Sequence, residues 1–324
     1  MNRRTARPIA RRGALAALGA GGLASLAAAC SSSDPLAEET TDASGGGGGA
    51  SDAGGGAAGA LVVGSQAYYS NEIIAELFAQ VLEAAGLSIT REYQIGQREV
   101  YLPELESGAV DLLPEYTGNL LQYYQADAPS ASPQEIAEAL AGVLPDGLTA
   151  LPFAEATDQD SYTTTADFAS ANSLTAIPDL AGVQEDLKIA ANSEFEARPY
   201  GPAGVKETYG VDVALVPVED SGGPLTVKAL TDGTVQLADI YTADPAIQKN
   251  GLVTLEDPES LILPQNVVPI ASSKVDDAAA AEIAKVTGAL TTEELIALNT
   301  RSIDEQAKSA DIAREWLAEK GIVA

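Results

Sequence analysis

Ser107-Gly108-Ala109-Val110-Asp111-Leu112-Leu113-Pro114-Glu115-Tyr116-Thr117 is the stretch whose reading decides the fold. A helical pattern ends at Gly108, a short apolar strand follows over Ala109 to Leu113, and a Tyr-Thr pair begins eight residues after the glycine. Asp232-Gly233-Thr234-Val235-Gln236-Leu237-Ala238-Asp239-Ile240-Tyr241-Thr242, in the other half of the chain, repeats the arrangement at the same spacing. In open α/β sheets, side chains just beyond the carboxyl ends of parallel strands meet the ligand. Each half therefore offers one tyrosine, Tyr116 and Tyr241, at a ligand-binding edge. The alternative is tyrosine as amphipathic packing.

Outward from this stretch the same strand–helix rhythm continues. Leu61-Val62-Val63-Gly64 has the pattern of a short buried strand. Ser70 is placed to cap a helix with Glu72 in its first turn. Ile73, Ile74, Leu77, Phe78, Val81, Leu82 and Ala85 recur at helical spacing until Gly86 stops them. Leu87 to Tyr93 reads as a strand, and Pro103 is expected to delay or kink the next helix. A similar rhythm runs from about Leu187 to Ile240, and Asp276 to Leu290 and Thr292 to Gly321 read as helical. The expected class is α/β, with mostly parallel sheets covered by helices.

Before this body the composition changes twice. Arg3, Arg4, Arg7, Arg11 and Arg12 precede an apolar run from Gly13 to Ala29, and no acidic residue occurs in residues 1–30. The run is too short and too weakly apolar to span a bilayer, so it reads as an export signal. It ends in Leu26-Ala27-Ala28-Ala29-Cys30, and Cys30 is the only cysteine. The ending resembles a bacterial lipobox, with Leu26 one place early. The expectation is a signal peptide over residues 1–29 and lipidation of Cys30, which anchors the protein to the outer face of the cell membrane. Arg11-Arg12-Gly13-Ala14-Leu15 also resembles a twin-arginine signal, which leaves the export route open. Residues 30–59 hold serines, acids and the runs Gly45 to Gly49 and Gly54 to Gly56, without apolar periodicity. Such a segment reads as a flexible tether.

The chain has 324 residues, with 47 Asp plus Glu against 18 Lys plus Arg, one Cys and no His. Without histidine there is no histidine general base and no histidine metal ligand. A single cysteine excludes an internal disulfide. A net charge of −29 argues against a nucleic-acid partner, because phosphate binding needs a basic face. The aromatic residues are 11 Tyr, 4 Phe and 1 Trp. A chain rich in tyrosine alone suits a cage of electron-rich rings around a cation; it equally suits a well-hydrated acidic surface.

Gly64-Ser65-Gln66, Pro114-Glu115-Tyr116-Thr117-Gly118, Asp160-Ser161-Tyr162, Glu194-Phe195-Glu196-Ala197-Arg198-Pro199 and Asp239-Ile240-Tyr241-Thr242 occur in that order. In this the body resembles the substrate-binding proteins of ABC importers for osmoprotectants such as glycine betaine, choline and carnitine. The resemblance covers about residues 61–320 and implies a two-lobed periplasmic-binding-protein fold of type II, with a hinge cleft. One lobe is expected over 61–156 plus 265–324, the other over 157–264. It implies a tyrosine cage from Tyr116, Tyr162 and Tyr241, with Val227 standing where the family has a fourth tyrosine. Arg198 matches the arginine that binds a ligand carboxylate. Asp160 lies beside the cage, and Gln66 and Asn119 match polar positions of the cleft. The implied partners are a small quaternary-ammonium or betaine-like ligand and the permease subunits of an ABC importer. No cofactor and no metal are implied.

Three other readings compete with this one. Glu115, Asp111, Asp160 and Asp239 are candidates for an acid–base pair of a hydrolase, although 47 acids make chance proximity common. An adhesion or signalling lipoprotein with the same fold is the second. The third keeps the fold and changes the ligand: Val227 in place of a ring leaves room for a bulkier betaine-like molecule such as ergothioneine, unless another tyrosine fills the space, Tyr68, Tyr69 and Tyr200 being nearest in sequence to the cleft motifs.

Overall fold

The computed structural model describes residues 59–323. The expected export signal, Cys30 and nearly all of the tether lie outside the described residues. Ten strands form: β1 (Leu61–Gly64), β2 (Ile89–Glu92), β3 (Leu112–Tyr116), β4 (Leu148–Ala150), β5 (Thr163–Thr165), β6 (Leu187–Ala191), β7 (Val213–Pro217), β8 (Leu237–Ala238), β9 (Leu252–Thr254) and β10 (Val267–Ser272). They make two five-stranded sheets, in the orders β2-β1-β3-β10-β4 and β7-β6-β8-β5-β9. The pairs β1–β2, β1–β3, β6–β7 and β6–β8 are parallel. The pairs made by β10 and by β5 are antiparallel. In each sheet, then, all strands share one direction except a single reversed strand. That strand is in each case the first one laid down after the chain crosses from one sheet to the other. The two crossing segments run side by side, with Thr157 and Asn266 in an antiparallel bridge.

Burial explains the order of the first sheet. Every residue of β3 and β10 is buried, as expected for central strands with helices on both faces. One face is covered by the Tyr69–Ala84 helix through Ile73, Leu77, Phe78 and Val81, which the Asp277–Thr287 and Ser309–Glu319 helices cover in turn. The opposite face packs on Tyr101, Leu105, Leu120 and Leu140. The second sheet is likewise covered on both faces, by groups around Ile189 and Phe195 and around Ala190 and Leu230.

Three local expectations are corrected. The first helix begins at Tyr69, and Ser70 lies inside its first turn rather than capping it. Its hydroxyl donates instead to Asp158, 3.1 Å away at the crossing. The next helix runs through Pro103 from Arg98 to Glu106; the missing amide costs it one backbone bond without stopping it. The strand placed over Ala109 to Leu113 lies three residues later, because the amides of Ala109 and Val110 still bond back to Glu104 and close the helix end. Asp111 is fully buried and ties three strands together. It accepts from the Val62 amide at 3.0 Å and from Ser272 Oγ at 2.9 Å.

Gly118 is held where the first lobe meets the second crossing. Its amide donates to the Pro264 carbonyl at 2.9 Å. A Cβ there would lie 2.6 Å from that oxygen and 2.7 Å from the Leu263 Cβ. Only glycine permits this approach, which brings the helix that begins at Thr117 against the hinge.

Candidate functional site

The carboxyl ends of β1 and β3 face those of β6 and β8 across a cleft. Gln66 and Tyr68 follow β1, Tyr116 ends β3, and Asn119 stands in the first turn of the next helix. Asn192 follows β6, and Asp239 and Tyr241 follow β8. All of them line one cavity, together with Asp158, Asp160 and Gln265 of the crossings and Glu194, Arg198 and Tyr200 of the second lobe. The cavity is narrow, with a volume of about 40 Å³, so its walls stand close together.

Each wall residue is fixed by its neighbours. Tyr116 is positioned by Glu115, whose carboxylate accepts from the Tyr116 amide at 2.8 Å, from Arg98 at 2.7 and 2.9 Å, and from Tyr101. This saturates Glu115 and makes it a structural group. The Tyr116 hydroxyl is buried and has no protein partner among the described residues, so it is free for a ligand. Gln66 takes the Asn71 side-chain oxygen on its amide at 2.9 Å. At the crossing, Asp160 accepts from Asn119 Nδ2 at 2.8 Å and from Gln265 Nε2 at 3.1 Å. Asp158 accepts from the Ala243 amide at 2.9 Å. The lobes also touch: the Tyr68 and Tyr241 rings lie edge to face at 5.2 Å, Tyr69 donates to Asp244 at 2.8 Å, and Arg198 donates to Glu99 at 2.8 Å.

The electrostatics of the cavity are one-sided. Asp158, Asp160, Asp239 and Glu194 have no ion-pair partner among the described residues, whereas Arg98 and Arg198 are each paired with a glutamate. Burial pushes the Asp158 carboxyl up to about 7, against the bonds it accepts from Ala243 and Ser70. Burial, then the charge on Asp160, holds the Asp239 carboxyl well above the usual range. Burial first, and nearby carboxylates next, keep the phenols of Tyr200 and Tyr241 neutral.

Of the expected site residues, Gln66, Tyr116, Asn119, Asp160, Arg198 and Tyr241 meet in this cavity. Tyr162 does not. It is fully buried in the second lobe's core beside Phe195, and its hydroxyl donates to the Tyr200 carbonyl at 2.7 Å. Val227 does not either: it packs under the second sheet with Leu230 and Ala190. Their places on the wall are taken by Tyr68 and Tyr200. Position relative to the strands was the available signal for the missed groups. Asn192 directly follows the end of β6.

Two hinged lobes with an enclosed, polar, ring-lined cleft define a solute-binding protein. Residues 59–319 match the family described as the substrate binding domain of ABC-type glycine betaine transport systems. The chain belongs to that family, and its task within an ABC transporter is to bind substrate, not to transform it. It is 26% identical to the glycine betaine-binding protein YehZ of Escherichia coli (strain K12) over 274 residues, 80% of this chain and 90% of the relative. Among solved structures, it resembles apo YehZ from Escherichia coli at a TM-score of 0.59 and 26% identity, over 81% of this chain and 99% of that one. A glycine betaine/carnitine/choline ABC transporter structure aligns at a TM-score of 0.66 and 21% identity, over 81% and 99% of the two chains. Lactococcal OpuAC in its closed, glycine betaine-bound conformation aligns at 0.58 and 15%, over 81% and 96%. These last two share the fold.

The site makes two predictions, with tetramethylammonium as the probe cation. Tyr116→Ala and Tyr241→Ala should each weaken its binding by about 1–2 kcal/mol, the worth of a desolvated cation–ring contact. Tyr162→Phe should leave binding unchanged and cost about 1 kcal/mol of stability through its lost hydrogen bond. Calorimetry and denaturant unfolding separate the two effects, and loss of binding in Tyr162→Phe would reject the assignment.

The second concerns pH. The folded Asp158 value lies above its ordinary 3.8. Its contribution to the stability of the empty protein is therefore complete below about 3.8 and is lost as pH rises through about 7. A bound cation favours the ionised carboxylate, so affinity should increase as pH climbs through about 7. Asp158→Asn should flatten both profiles. Slopes equal to those of the wild type in pH-dependent unfolding and calorimetry would show that Asp158 does not titrate here.

Proposed function

We propose that the protein is an exported, lipid-anchored solute-binding protein that delivers a quaternary-ammonium osmoprotectant of the glycine betaine or choline type to an ABC importer. The observation that carries this reading is the meeting of Tyr68, Tyr116, Tyr200 and Tyr241, two from each lobe, around a cavity whose carboxylates outnumber its free cations. A trimethylammonium group presents a diffuse positive charge with no hydrogen-bond donor. Ring faces and nearby carboxylates are the surfaces that bind such a group. Membership of the glycine betaine transport family, and the glycine betaine-binding relative, support the ligand class. The reason to prefer a bulkier ligand such as ergothioneine was an apolar gap at Val227, and Val227 stands away from the cleft.

Mechanistically, neither lobe encloses a cation alone. A ligand that touches rings of both lobes binds the closed arrangement better than the open one and shifts the population toward it. Closure presents to the permease a surface drawn from both lobes. The lobes are assigned as 61–156 plus 265–324 and 157–264, hinged at the two crossings. The four Tyr side chains supply contact, Asp160 supplies negative potential, and Arg198 is a guanidinium within reach of a ligand carboxylate.

A thermal-shift panel of glycine betaine, choline, carnitine, ectoine and ergothioneine tests the ligand class. At a hundredfold excess over Kd, a true ligand should raise Tm by about 5–10 °C for a body of this size. A shift with ectoine or ergothioneine and none with any trimethylammonium compound without a heterocycle overturns the reading.

For the anchor, Cys30→Ser should release the protein from membranes or leave it with its leader uncut. Fractionation and metabolic lipid labelling report this. Wild-type protein that takes up no lipid and stays in the cytoplasm rejects it.

A further inference from the structure

Arg198 is not simply open to the cleft. Its guanidinium forks onto Glu99, Nη1 to Oε1 at 2.8 Å and Nη2 to Oε2 at 3.3 Å. Glu99 belongs to the first lobe and Arg198 to the second, so the pair exists only when the lobes meet. The other guanidinium on the wall, Arg98, donates through Nε and Nη2 to Glu115, a carboxylate buried completely. Of the two guanidiniums, Arg198 is the one whose partner is half-exposed and open to exchange, and the protein already fills it with a carboxylate of its own.

We infer that Glu99 is a specificity-determining residue: it stands in for a ligand carboxylate on Arg198 and biases the closed cleft toward cations that carry no carboxylate. The inference rests on the proposed quaternary-ammonium site and refines it. A choline-like ammonium alcohol leaves the Arg198–Glu99 fork intact. A glycine betaine-like zwitterion must either displace Glu99 or hold its carboxylate near Asp160 and Glu194, where like charges repel it. The side chain of Glu99 is 49% exposed while that of Arg198 is 15% exposed. A displaced Glu99 is thus rehydrated easily, and the effect is a bias, not a block.

The test uses the full body of the protein, with choline and glycine betaine as probes in calorimetry. Glu99→Gln keeps the shape and removes the charge. It should raise affinity for glycine betaine relative to choline by about tenfold, the worth of a charge-assisted hydrogen bond. Glycine betaine gains the freed fork, and choline meets an uncompensated positive charge. Introduced into Arg198→Ala, the same substitution should leave the ratio unchanged, because its effect acts through the guanidinium. If Glu99→Gln weakens both ligands equally, Glu99 is only a latch between lobes and the inference fails while the ligand class stands. If wild type binds neither probe, the functional reading fails and the inference falls with it.

Discussion

Carboxyl groups held out of water at the junction of two lobes govern this molecule. Asp158 and Asp239 are carboxyls whose burial opposes their ionisation, with Asp160 beside them. Desolvated carboxylates without a counter-ion are costly. The chain meets part of that cost with backbone amides and with Asn119, Gln265 and Ser70, all neutral donors. It places its arginines against glutamates outside this group instead. Under the proposed function, the positive charge of the ligand relieves the rest of that cost, so binding and closure draw on the same source of free energy.

The fold exists to bring that junction together. Two sheets of similar topology point their carboxyl ends at one another, and the chain passes between them twice. Residues that belong to no sheet, Asp158, Asp160 and Gln265, sit on the crossings and touch both walls. Gly118 lets the first lobe press its helix against the second crossing with no side chain between them. Binding geometry thus depends on backbone contacts at the hinge as much as on the rings.

Much of this was legible in the sequence. The repeated Gly-strand-Tyr-Thr spacing placed Tyr116 and Tyr241 at strand ends, and they line the cleft, because the end of a parallel strand is a position that sequence distance can count. The family resemblance implies Tyr162 and Val227 at the cage, and neither lines the cleft. Tyr162 precedes β5, the reversed strand, and its ring turns into the core. Val227 lies on a helix whose inward face is the sheet, not the cleft. Tyr68 and Tyr200 stand one or two residues beyond the quoted motifs, in turns whose direction no periodicity specifies. The cross-lobe pair of Arg198 and Glu99 was illegible for another reason: it joins residues 99 apart in sequence, on segments with no local pattern in common.

The position of β10 carries a consequence for how the molecule comes into being. This strand fills the centre of the first sheet, yet it is made only after the whole second lobe. The Asn266 amide that donates to Thr117 Oγ1 lies 149 residues from its partner. Until that segment arrives, β3 has an unpaired edge with apolar side chains on both faces, a surface prone to association with other chains. The first lobe to emerge is therefore the last to be completed, and contact order of this kind slows folding.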